Sequence, residues 1–263
     1  MNATVPVTVQ KSDGVAIVLI NRGDGLNRFD TETMVLLRDA ALNLAGDSAV
    51  ASVILRGEGV FSAGVDLAEL ARPGSKPSLS VMREQLKLGP ALCKAWEDLE
   101  AYTIGAIEGY CVGGAAALAA ALDYRVVGAS AFFRLPEVPM GMSMSWQTVP
   151  RLVAQLGPAR TKQYVIFGQR IEAARALAWG LCEDAVPDGT TLTAALAIAA
   201  DIRKLPPLPV RMTKQAVNAA ANALNAVASY MDRDQFMVAM QSADFAEAIA
   251  AFLEKREPKF TGR

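Results

Sequence analysis

No histidine occurs anywhere in these 263 residues. Its absence removes the commonest general base and the commonest metal ligand together. Proton chemistry in this chain therefore has to run on carboxylates, tyrosines, thiols or water. Cysteine is scarce as well: Cys93, Cys111 and Cys182 form no CxxC pair and are odd in number. Neither a zinc site nor a disulfide framework is expected, and reduced thiols in a cytoplasmic protein are the plain reading. An excess of charge is missing too. The net charge of −1 gives no electrostatic footprint for nucleic acid or an anionic membrane. Long apolar runs are absent: the longest, residues 111–122, has 12 residues and stops at Asp123, too short to span a bilayer. The opening MNATVPVTVQKSDG has neither the basic nor the apolar region of a signal peptide.

What is present is a hydrophobic fraction of 52%, ample for one large domain or one domain with a small appendage. Two strands are expected around a turn at Ser12-Asp13-Gly14. Asp30 or Thr31 can cap a helix running to about Ala45. VASVILRGEG (50–59) reads as a strand, RPGSKPSLS (71–79) as a loop, and a single helix is expected over about 80–99. TIGAIEGY (103–110) is the next strand, Gly113-Gly114 leads into an alanine-rich helix, and YRVVGASAFFRLPE is again strand-like. Strands alternating with helices predict an α/β fold with a parallel-leaning sheet. From Asp201 onward the chain reads as helices broken by Pro206, Pro207 and Pro209.

Three short stretches can carry chemistry. A strand, a glycine turn and a helix start at Gly113-Gly114 leave unpaired backbone N–H groups that favour negative charge, and no side chain obstructs a ligand there. FSAGVDL (61–67) is a second strand end with a glycine, where Asp66 is also able to cap a following helix. Glu137 stands in LPEVPMG, between two prolines.

Taken together these stretches resemble the enoyl-CoA hydratase/isomerase family, the crotonase superfamily. The resemblance rests on Phe61-Ser62-Ala63-Gly64-Val65-Asp66-Leu67, on Glu108-Gly109-Tyr110-Cys111-Val112-Gly113-Gly114, on Asp123-Tyr124-Arg125, and on Pro136-Glu137 with Gly141. Ile20-Asn21-Arg22, Leu26-Asn27, Arg151-Leu152, Gly157 and FGQRIEAARALAWGLCEDAV extend it over nearly the whole chain. It implies a crotonase-like spiral of ββα units, with residues 1–200 as an acyl-CoA-binding core and 201–263 as a helical region for contacts in a homotrimer or homohexamer.

The same resemblance implies a site. Backbone amides of Val65 and Gly114 would receive a thioester oxygen, and losing one such donor typically costs on the order of 3 kcal/mol. The substrate's coenzyme A would pass Asp24, Gly25, Leu26, Ala63, Asp66, Leu67 and Gly113. Lys255, Arg256, Lys259 and Phe260 would help hold its nucleotide. Coenzyme A is part of the substrate, and no separate cofactor is called for. One departure matters. Hydratases of the family usually carry a glutamate three residues past the second oxyanion glycine, where this chain has Ala117; the other glutamate, Glu137, is present. Hydration uses two carboxylates to hold the attacking water, whereas shifting a double bond needs one base. The pattern thus favours an enoyl-CoA isomerase, with an enoyl-CoA hydratase and a catalytically weak acyl-CoA binder as alternatives. Ser143, Ser145, Trp146 and Gln147 replace a stretch more usually small and glycine-rich, and are able to narrow or polarise an acyl pocket.

Overall fold

The computed structural model describes residues 5–66 and 77–263. Leu67 and most of the expected 71–79 loop lie outside the described residues. Alternating β-branched residues form β1 (Val7–Ser12) and β2 (Val15–Ile20), which pair antiparallel. The turn between them uses left-handed backbone at Asp13 and Gly14, as a tight hairpin requires. Helix α1 (Thr31–Ala45) starts where expected: the Asp30 carboxylate accepts from the Thr33 amide at 2.8 Å.

β3 (Ser52–Gly57) then lies parallel to β2. The helix expected over 80–99 is instead two, α2 (Leu79–Gln85) and α3 (Leu88–Glu97). Pro90 supplies the reason. One continuous helix would need its amide to reach the Leu86 carbonyl, and proline has no N–H to give.

β4 (Tyr102–Ile107) pairs parallel with β3, and β5 (Tyr110–Val112) follows after a left-handed Gly109. The expected strand 103–110 is thus two strands in two layers. α4 (Gly114–Ala119) is the short alanine-rich helix. The next strand-like stretch is also divided, into β6 (Tyr124–Gly128) and β7 (Phe132–Arg134). There follow α5 (Thr148–Phe167), β8 (Ile171–Glu172), α6 (Ala173–Trp179), β9 (Asp184–Val186) and α7 (Thr191–Arg203). The larger sheet has the order β1-β2-β3-β4-β6-β9 and the smaller β5-β7-β8.

The two layers explain the winding. Each pass runs up a strand of the large sheet, turns sharply into the small one, and returns through helix. Phe29 after β2 bridges Val65 after β3, Ser62 bridges Cys111 of β5, and Cys111 pairs with Phe133 of β7, while β8 adds antiparallel to β7. Four successive passes thus stack side by side as a spiral. The core between the layers holds Phe29, Phe61, Trp96, Phe133 and Tyr164, all essentially fully buried. Trp96 satisfies its indole N–H on the Leu37 carbonyl at 3.0 Å.

Beyond α7 come α8 (Pro207–Ala221), α9 (Asn225–Ser229), α10 (Asp232–Ala239) and α11 (Ala243–Glu254). The prolines do not break a helix here. Pro206 caps α8 and Pro207 opens it, where a missing amide costs nothing. Among the described residues no single helix is long and apolar enough to cross a membrane.

Candidate active site

Two stretches of chain meet at the edge of the small sheet. The Ser62 amide donates to the Tyr110 carbonyl at 2.8 Å, and the Val112 amide returns to Ser62 at 3.2 Å. Ser62 is buried; its hydroxyl donates to the Asn27 carbonyl at 2.7 Å and accepts from the Gly64 amide at 3.0 Å. Gly64 has φ +84, and a Cβ on it would stand 2.3 Å from the Val112 carbonyl oxygen. Only glycine fits that approach. The same point is 3.4 Å from the Gly114 nitrogen, so the segments carrying the Val65 and Gly114 amides lie against each other.

Those two amides differ from their neighbours. Ala63 donates to Leu26, Gly64 to Ser62, Asp66 to Phe29, and Gly113 to Arg134. Neither Val65 nor Gly114 donates to another described residue. Gly114 opens α4, so its N–H points out of the helix start. The Gly114 amide at a helix start and the Val65 amide beside it are two donors able to stabilise a developing negative oxygen.

Glu137 completes the cluster. It sits in a compact turn where the amides of Met140 and Met142 fold back on the Pro136 and Glu137 carbonyls. Its Oε1 would be 3.1 Å from a Cβ on Gly113, so the carboxylate lies against the glycine pair. The residue keeps part of its surface, yet Oε2 is sealed from solvent with no hydrogen-bond partner. Burial pushes its pKa up from the ordinary 4.5 to about 7, against the opposing pull of its own backbone amide and of Arg134. A carboxyl group poised there exchanges protons near neutrality.

Tyr164, on α5, was not anticipated. Its buried hydroxyl has no hydrogen-bond partner among the described residues, and burial, then Cys111 and Glu137, drive its pKa well upward. It stays a neutral phenol in Glu137's electrostatic neighbourhood. Ala117 lies on the first turn of α4, 1% exposed and packed in the main apolar cluster.

The other expected residues divide. Asp24 accepts from the amides of Leu26 and Asn27 at 2.9 and 2.7 Å, shaping the exposed loop that carries Gly25. Leu26 meets Ala63 through a 2.9 Å backbone bond, which joins this loop to the oxyanion segment. The Asp66 carboxylate is 2.9 Å from Arg22, which also engages Asp30 at 2.9 Å. Lys259 and Phe260 are not drawn in. The Lys259 amide binds Glu247 at 2.8 Å, and the tail folds onto α11 with Thr261 and Gly262 held by Asp244. Within one chain they are tied to the last helix rather than to the 24–26 loop. Glu108, a carboxylate near the strand end, is structural: it accepts from the amides of Gly189 and Thr191 at the start of α7. The last helix does reach the site turn, since a Cβ on Gly141 would be 2.9 Å from the Phe245 Cα.

Trp146, one of the four residues that the sequence offered as able to narrow an acyl pocket, is placed beside the glycine pair. Its ring lies against both Gly89 and Gly114. Trp146 and Gln147 both have left-handed backbone, at φ 62 and 57, a strain of about 1–3 kcal/mol each for ordinary residues. The Trp146 carbonyl accepts from Arg151 at 2.7 Å, and Arg151 is held by a buried two-bond contact with Glu97 at 2.7 and 3.0 Å. A glycine inside α3 was the signal available, because Gly89 costs its helix about 1 kcal/mol relative to alanine. A cavity of about 700 Å³ lies elsewhere, at the far end of α4 against α7 and α8, and is lined by Ala120, Arg125, Ile202 and Lys214.

Residues 10–263 match the family model described as enoyl-CoA hydratase/isomerase. The chain is 30% identical over 261 residues to crotonyl-CoA hydratase of Syntrophomonas wolfei, covering 98% of each. It is 29% identical over 259 residues to 2,3-dehydroadipyl-CoA hydratase of Escherichia coli, covering 97% of this chain and 98% of that one. Among solved structures, carnitinyl-CoA hydratase from Mycobacterium avium superposes with a TM-score of 0.87 at 30% identity, over 99% of this chain and 100% of that one.

Proposed function

We propose that this chain, which belongs to the enoyl-CoA hydratase/isomerase family and has its crotonase-type fold, moves a double bond along an acyl-CoA thioester by single-carboxylate proton transfer. The thioester oxygen rests on the Val65 and Gly114 amides. Glu137 takes a proton from C2 of a 3-enoyl thioester, and the electron pair spreads through the dienolate onto that oxygen. The protonated Glu137 then returns the proton to C4, leaving the 2-enoyl product. One group serves as base and then as acid, and a pKa of about 7 suits both directions. The observation that carries this reading is the Glu137 carboxylate lying against Gly113 beside a free Gly114 amide, with a buried alanine at position 117.

The names of the curated relatives favour a second reading, 2-enoyl-CoA hydration. On that reading another group, not a residue-117 carboxylate, holds the water. A panel of 2-enoyl and 3-enoyl CoA esters, scored separately for water addition and double-bond migration, decides between them. Fast migration with slow hydration supports the isomerase. Hydration at ordinary enzymic speed overturns it.

We further propose that a cytoplasmic homotrimer or homohexamer is the working form. Leu208, Val217, Leu224, Val227, Tyr230 and Phe252 are exposed along the C-terminal helices of a single chain. So much apolar surface is ordinarily covered by a partner, here a second copy. The coenzyme A nucleotide would then be held by the tail residues Lys259 and Phe260 across that contact.

A further inference from the structure

Two glycines on different helices leave room for the same side chain. A Cβ on Gly89, inside α3, would stand 1.9 Å from Cε2 and 2.0 Å from Nε1 of Trp146. A Cβ on Gly114 would stand 2.7 Å from Cη2 and 2.8 Å from Cζ3 of the same indole. The ring thus reaches from the first turn of α3 to the start of α4, and its six-membered end flanks the free Gly114 amide. The Val65 side chain closes in from the neighbouring segment, its Cγ2 3.0 Å from that same Gly114 position.

The indole is also held there deliberately. Left-handed backbone at two successive non-glycine residues is unfavourable and persists only when the surroundings impose it. Here they do. Arg151 binds the Trp146 carbonyl, Asp232 accepts from the Gln147 amide at 2.8 Å, and the Thr148 amide returns to Ser145. Trp146 is only partly buried and packs against the main apolar cluster, so it borders the core rather than lying inside it. A thioester whose oxygen sits on the Val65 and Gly114 amides would have this indole beside its carbonyl group.

We propose that Trp146 is the wall that sets acyl-chain length, and that it restricts the site to short acyl groups. The proposal rests on the acyl-CoA reading given above. Its test uses saturated esters, so that it does not depend on which reaction is catalysed. Binding of butanoyl-CoA and octanoyl-CoA is measured by calorimetry for wild type, Trp146→Phe, Trp146→Ala, Gly89→Ala and the Gly89→Ala/Trp146→Ala double variant. Circular dichroism checks the fold.

Wild type should prefer butanoyl-CoA. Trp146→Ala should move the octanoyl-to-butanoyl affinity ratio at least about tenfold toward the longer chain, within the range that apolar pockets achieve. Trp146→Phe, which keeps a ring on the same backbone, should fall between them. Gly89→Ala should change the ratio by displacing the indole, and that change should vanish once residue 146 is alanine. A folded Trp146→Ala with an unchanged ratio overturns the proposal. So does a wild type that prefers octanoyl-CoA, or equal loss of both esters in the Phe and Ala variants, which would make the ring a strut. If wild type binds neither ester, the acyl-CoA reading itself fails and takes this inference with it.

Discussion

Replacing Glu137 with glutamine keeps the shape of the side chain and removes its titration. In the unfolded chain the carboxyl ionises near its ordinary 4.5; in the folded chain burial raises that to about 7. Below pH 4.5 both states hold the proton, and the group contributes nothing to the pH dependence. Between 4.5 and 7 the unfolded chain releases the proton while the folded chain keeps it. The folded state then binds more protons, so stability falls as pH rises. Above 7 both states are ionised, and the folded protein carries the whole desolvation cost. At 1.36 kcal/mol per pKa unit that cost is roughly 3 kcal/mol. Glutamine never carries it. Glu137→Gln should therefore match wild type in urea unfolding near pH 4.5 and exceed its stability by up to about 3 kcal/mol at pH 8. Protein concentration is held fixed, because assembly also stabilises. All other groups titrate alike in the two proteins, so the difference isolates this one. The catalytic counterpart is a loss of turnover of about 10²-fold or more, the usual contribution of such a group. In wild type, kcat/KM should climb with pH through a limb centred near 7. A stability difference that stays flat from pH 5 to 8 would mean an ordinary, solvated carboxylate, and the proton-transfer argument would fall.

The oxyanion donors are tested by a pair of variants. Gly114→Ala and Gly114→Pro both push on Trp146 and Val65, but only proline deletes the amide; proline should be slower than alanine by about 10²-fold, and equal activities would rule Gly114 out as a donor. Ala117→Glu should gain at least about tenfold in water addition to crotonyl-CoA, measured by loss of enoyl absorbance, while the crowded, buried position costs about 1–3 kcal/mol of stability. No gain, over a wild type that already hydrates at full enzymic speed, would end the missing-carboxylate argument. Sedimentation at micromolar concentration should find a trimer or hexamer, and a stable monomer refutes that assembly.

Much of this was legible in the sequence, and the limits have physical causes. The Asp13-Gly14 turn and the Asp30 cap are local devices, and both are found where the residues predict. The glycine and glutamate motifs pointed to chain segments that do meet: Gly64 lies against Gly114, and Glu137 against Gly113. What local pattern cannot carry is a change of layer. Tyr110 and Phe132 continue strand-like stretches, yet each belongs to the second sheet, because the partner that captures it comes from another turn of the spiral. Tyr164 reaches the Glu137 neighbourhood from the last turn of α5, and no spacing rule connects them. Trp146 depends on backbone that its residue type disfavours, so propensity argues against the conformation it adopts. Pro90 is the opposite case: its signal was plain, and a helix drawn through it overlooked the missing amide.

The contact between Gly141 and Phe245 is backbone on backbone, with no side chain between to yield. The turn that aims Glu137 is thus braced from outside by the first residues of α11. On the proposed reaction, proton transfer at Glu137 and the docking of the last helix become one mechanical problem. Shortening the chain before Ala243 would leave the Val65, Gly114 and Glu137 segments in place and take away the backing of the carboxylate, together with the tail residues Lys259 and Phe260. A partner that levers α11 aside would act on the site as a brake, without touching the substrate.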